Sequence, residues 1–107
     1  MKRLFILAAW SVVLGAHAEF KDGNGLLSDM NGSHSKQMYA LGYVAGAADS
    51  FMGVTVCPPA TVTTGQMHDM VKQYLEAYPA VRHFSGDVII NRVLSNAWPC
   101  ARRGQAL

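Results

Sequence analysis

The sequence predicts an all-α domain: a small helical bundle-like unit of three main helices plus a short N-terminal turn, stapled by one disulfide. Three observations carry that expectation. Apolar residues recur at three- and four-residue spacing in three separate stretches. Each stretch runs out at a helix-breaking residue: Gly53, Pro79 and Pro99. The two cysteines, Cys57 and Cys100, follow the first and the last of these stretches.

A leader precedes the elements. "MKR" is positively charged, "LFILAAWSVVL" is an apolar run, and Ala16 and Ala18 form an A-x-A site before Glu19. The run is shorter than the roughly 20 residues a spanning helix needs, and no cysteine follows it to carry a lipid. Residues 1–18 are therefore expected to be a signal peptide. Residues 19–107 are expected to be a single soluble domain in the periplasm, with no membrane insertion after cleavage. Without Lys2 and Arg3, seven basic residues face seven acidic ones. That balance, with no basic stripe, gives no support to nucleic-acid binding. A domain of this size has room for one small core.

Residues 19–36 are rich in Gly, Asn and Ser, apart from "GLLSDM". They predict a short helical turn over Gly25–Met30 and a loop, with Ser33 or Ser35 placed to cap the next helix. From about Ser35 to Gly53, Met38, Leu41, Ala45, Ala48 and Met52 recur at helical spacing, flanked by Val44 and Phe51. Gly42, Gly46 and Ser50 form a small-residue ridge expected to let a neighbouring helix approach. Asp49 is expected to be solvated or to cap a neighbouring helix end. "GVTV" has strand-like composition but no evident partner.

Thr63 and Gln66 have capping-box spacing. Behind them Met67, Met70, Val71, Tyr74, Leu75 and Tyr78 describe the clearest amphipathic helix of the chain, stopped by Pro79. "AVRHFSG" is a connector with Ser85 as N-cap. Val88, Ile89, Ile90, Val93, Leu94, Ala97 and Trp98 then carry the last helix, ended by Pro99. The tail "ARRGQAL" is expected to fray.

Cys57 as a nucleophile needs a histidine base, yet His34, His68 and His83 form no local motif with it. There is no C-x-x-C for redox work, and the histidines are too scattered to suggest a zinc site. A Gly-rich phosphate loop, a G-x-S-x-G elbow and H-E-x-x-H are all missing. These readings point to a binding protein with no catalytic residues, metal or cofactor. Cys57 and Cys100 are read as a staple. Their bridge closes a loop of about 44 residues, worth roughly 4 kcal/mol on the chain-entropy estimate.

Four stretches narrow the reading: "DGNGLL", "LGYVAGAAD", "VCPPATVTTGQMHDMVKQYLEAYP" and "VLSNAWPC". In order and spacing they resemble the Tai/Rap-type immunity proteins, which protect bacteria against amidase effectors of the type VI secretion system. The resemblance covers about residues 22–100. It implies a small all-α periplasmic inhibitor, often a homodimer, that occludes the active-site cleft of a secreted peptidoglycan amidase. Two positions depart from the family pattern. Met30 and Ala40 stand where members often carry a second cysteine pair, and a looser N-terminal segment is expected from that loss.

The resemblance transfers no binding residue. On physical grounds the connector presents Arg82, His83 and Phe84 between two rigid helices, and arginine and aromatic residues are favoured interface anchors. The other reading of the same residues has Phe84 sealing the core and Arg82 solvated. A periplasmic chaperone or envelope-stress binding protein, working through exposed apolar surface, is the alternative function.

Overall fold

The computed structural model describes residues 20–101. The expected signal peptide and the tail beyond Ala101 lie outside the described residues. Four helices follow in order: α1 Gly23–Met30, α2 His34–Phe51, α3 Thr64–Ala77 and α4 Gly86–Ala97, with a 3-10 turn at Pro79–Val81. The domain is all-α, as its periodicity predicts, and no strand is present among the described residues.

Each helix starts for a legible reason. Asp22 accepts the Gly25 N–H at 2.8 Å, which begins α1 two residues earlier than the apolar pattern suggested. Ser33, rather than Ser35, caps α2. Thr63 and Gln66 close a reciprocal capping box, with Thr63 N donating to Gln66 Oε1 and Gln66 N donating to Thr63 Oγ1. Ser85 occupies the N-cap of α4, but its hydroxyl donates to the Asp87 carboxylate instead of accepting from the helix.

The core is one cluster built from α1 (Leu26, Met30), α2 (Ala40, Val44, Ala48), α3 (Met67, Val71, Leu75) and α4 (Ile89, Ile90, Leu94), with Val56 from the loop. Helix α2 touches all three other helices. That central place corrects the expected stripe. The buried line is Ala40–Val44–Ala48, while Met38 and Met52 are exposed. On this face the small and β-branched side chains let the neighbouring helices lie close to α2. The Gly42–Gly46 ridge meets no neighbour: a Cβ added at either glycine would touch nothing within 4 Å. Asp49 is exposed, in line with a solvated carboxylate. Val88, read as core, is 51% exposed, because the buried face of α4 runs through Ile89, Ile90 and Leu94.

The N-terminal segment is not loose. The first backbone donors of α1 go to the connector: Gly23 N donates to Phe84 O at 3.0 Å and Asn24 N to Arg82 O at 2.9 Å. In return Gly86 N, at the start of α4, donates to Lys21 O at 2.7 Å. Two helix starts thus satisfy each other's otherwise orphan N–H groups. Met30 and Ala40, where the resemblance expected cysteines, are both fully packed in the core.

At the opposite end, Val56 is buried between backbone bridges to Met52 and Pro99, so "GVTV" does find a partner. Cys57 N donates to Trp98 O at 2.8 Å, and Cys57 and Cys100 form the disulfide, with their Cα atoms 4.9 Å apart. The staple ties the loop after α2 to the end of α4.

Candidate functional site

The α3–α4 connector is built as a rigid ledge. Pro79 stops α3 and opens a 3-10 turn, whose carbonyl at Pro79 accepts from Arg82 N at 3.3 Å. The Arg82 side chain then folds back over the end of α3. Its Nε donates to Leu75 O at 2.6 Å and its Nη2 to Glu76 O at 3.3 Å. A guanidinium on the free carbonyls of a helix C-terminus satisfies groups that have no partner within the helix. The Arg82 and Phe84 carbonyls, as described above, are claimed by α1. Every turn of the connector is therefore tied either to the helix before it or to the start of the chain.

The ledge presents His83 and Phe84 to solvent. Their rings lie 4.2 Å apart at 33°, and Phe84 is 45% exposed. Phe84 therefore does not seal the core, and Arg82 is neither merely solvated nor projecting outward. Beside Phe84 lies a depression of about 50 Å³ lined by Tyr74, Val81, Phe84, Val88, Ile89 and Arg92. Tyr74 extends the surface along α3 to the exposed Tyr78, with ring centroids 4.9 Å apart. Tyr74, Val88 and Arg92 were not among the sequence-derived site residues. Val88 and Arg92 are one turn apart on α4, so helical spacing held the signal. It was masked because an apolar valine in an amphipathic stretch reads as core.

A polar cluster joins the start of α1 to α2. Lys21 pairs with the Asp29 carboxylate, and its Nζ lies 4.8 Å from the centre of the Tyr39 ring. Hydrogen bonding to Asp29 holds the Lys21 ammonium above its ordinary pKa. Burial, together with the nearby negative charge of Asp87, pushes the Tyr43 hydroxyl up. Lys21, Asp22, Gly25, Tyr39 and Phe20 also line a broad open cleft on this side.

The three histidines of the described residues sit on different elements: His34 opens α2, His68 lies in α3 and His83 in the connector. His68 Nδ1 lies 3.1 Å from an Asp69 carboxylate oxygen, and Cys57 is tied up in the bridge to Cys100. Among the described residues no group of three His, Cys, Asp or Glu gathers in a way that could hold a metal ion. The arrangement offers a fixed aromatic and apolar surface suited to docking.

The family model of the Rap1a immunity proteins matches residues 22–100. The match runs from the Asp22 cap to Cys100 and takes in all four helices and both cysteines. Among curated proteins, none matches the chain.

Proposed function

The chain belongs to the family of Rap1a immunity proteins, and on that premise we propose that it is a periplasmic inhibitor of a secreted effector. The effector we propose is a peptidoglycan amidase delivered by a type VI secretion system, whose active-site cleft the protein occludes. The carrying observation is the family match over the whole four-helix unit. It is supported by a surface of the right kind, in which a braced aromatic ledge stands next to an apolar depression.

Inhibition of this sort involves no turnover. The protein presents a preformed surface, and binding orders few side chains because the ledge backbone is already fixed at Arg82 and Phe84. Within the Arg82–Phe84 segment, His83 and Phe84 meet the effector. Arg82 holds them in place through the carbonyls of Leu75 and Glu76. A desolvated aromatic anchor of this type typically carries 2 kcal/mol or more of binding energy, about a 30-fold change in Kd.

The test begins by looking beside this gene for a reading frame that encodes a small Cys/His amidase, and producing that amidase in the periplasm with and without the chain. Survival of the cells, a stable complex of the two proteins and blocked peptidoglycan hydrolysis are expected. Phe84→Ala should weaken the complex by at least about tenfold. Unimpeded hydrolysis at saturating inhibitor, with no complex formed, overturns the reading.

A further inference from the structure

The depression beside Phe84 is chemically asymmetric. Its floor is the buried Ile89, and its walls are Val81, Val88, Tyr74 and Phe84. The one charged lining group is Arg92, and no carboxylate lines the depression. Among the described residues the Arg92 guanidinium has neither a salt bridge nor a hydrogen bond; the hydrogen bond recorded at this residue is to its backbone carbonyl, from Ser95. The other arginine of the ledge, Arg82, is already committed to the carbonyls of α3. Among the described residues, Arg92 is thus the one arginine on this face available to a partner.

We infer that this depression is a recognition pocket for an aliphatic side chain directly followed by a carboxylate, such as Leu-Asp or Leu-Glu in an extended loop of the partner. This deepens the docking reading above and rests on it. The size argument is direct. A volume of about 50 Å³ holds the equivalent of roughly three to five water-sized groups, taking about 10–15 Å³ for each. That suits the branched end of a leucine.

The charge argument completes it. Seating an apolar side chain among Val81, Val88 and Ile89 brings the adjoining residue of the partner against Arg92 and strips water from the guanidinium. A carboxylate there restores charge-assisted hydrogen bonds in bidentate geometry. A lysine adds repulsion, and a neutral residue leaves a partly desolvated cation unpaired. The pocket therefore reads two neighbouring residues at once, one by shape and one by charge.

The test uses acetylated and amidated tetrapeptides of sequence Gly-Leu-Asp-Gly, Gly-Leu-Lys-Gly and Gly-Ala-Asp-Gly, titrated into the oxidised protein. Methyl resonances of Val81, Val88 and Ile89 are followed by NMR, together with the Arg92 Nε–H. The Leu-Asp peptide is expected to shift all four with millimolar affinity, about tenfold tighter than either other peptide. Arg92→Gln, on an exposed position, should equalise Leu-Asp and Leu-Lys while the methyl shifts persist. Equal binding of Leu-Asp and Leu-Lys to the native protein, saturable shifts confined to the Phe20–Tyr39 cleft, or no saturable shift with any peptide overturns the inference. If only the inference fails, the amidase complex still forms without this selectivity. If only the amidase reading fails, the peptides still discriminate while hydrolysis goes on unchecked.

Discussion

Glycine-to-alanine substitution should have opposite signs at two places in this chain, and the difference follows from what a single methyl group would meet. At Gly23 an added Cβ would lie 2.7 Å from Ile89 Cδ1, 2.9 Å from Leu75 Cδ2 and 2.9 Å from the Arg82 carbonyl oxygen. That oxygen cannot retreat freely, because it accepts the Asn24 N–H. Leu75 is fully buried and Ile89 nearly so, with Ile89 also lining the depression beside Phe84. Overpacking of this kind costs about 1–3 kcal/mol. The gain in helix propensity offsets at most about 1 kcal/mol. The net expectation for Gly23→Ala is a loss of up to about 2 kcal/mol after the full offset, a fall in Tm of up to roughly 15 °C for a domain of this size.

At Gly42 and Gly46, inside α2, nothing lies within 4 Å. There alanine keeps its propensity advantage of about 0.5–1 kcal/mol, and each substitution should raise Tm by roughly 2–8 °C. The assay is thermal melting by circular dichroism, with urea midpoints at constant m to confirm that the denatured state is unchanged. A Gly23→Ala protein that melts at or above the native temperature would refute the close approach of α1 to the connector. Destabilisation by Gly42→Ala or Gly46→Ala would refute the open face of α2.

Four further outcomes are expected. Reducing the Cys57–Cys100 bridge should lower the urea midpoint by the equivalent of up to about 4 kcal/mol, with helicity in the absence of urea retained if the surviving core suffices; an unchanged midpoint would show that the loop is not constrained by the bridge. Thr63→Ala removes one side of the capping box and should cost about 1 kcal/mol, visible as a lower midpoint with the same m. Both resolved pKa shifts are upward, for Lys21 from 10.5 and for Tyr43 from 10.0. The folded state therefore holds these protons more tightly than the unfolded one, so their contribution is complete below about pH 10 and fades as pH rises beyond it; Tyr43→Phe should blunt that alkaline loss, and an identical alkaline profile would count against a tyrosine origin. Finally, Phe84→Ala should change the melting temperature far less than a Leu75→Ala core truncation, because Phe84 is half-exposed while Leu75 is fully buried; equal losses would make Phe84 a core residue.

The helices were legible because their signals are local. Thr63 and Gln66 meet within one turn, Pro79 and Pro99 remove backbone donors just past the helix ends, and Met67–Val71–Leu75 repeats at a single spacing. Facing was less legible. In α2 both the Met38–Met52 line and the Ala40–Ala48 line fit helical periodicity, and only the packing against the other helices selects which line is buried. The ledge shows the same limit. Its residues Arg82, His83 and Phe84 can be picked out from composition, but nothing near Arg82 in sequence announces that its guanidinium turns back onto α3. Tyr74 and Arg92, 18 positions apart, share a depression only because α3 and α4 pack side by side.

Local signals in the chain were enough to place the three long helices and most of their caps and stops, the pairing of two cysteines and the family to which the four stretches belong, since these depend on neighbouring residues or on a choice with one solution; that the N-terminal turn is a full helix from Gly23 was not among them. Tertiary structure alone decided which faces are buried, that "DGNG" docks on the connector, and that Arg82 is occupied while Arg92 is open. Those outcomes depend on distances between segments far apart in the chain, where close packing permits one arrangement and local propensity is indifferent among several.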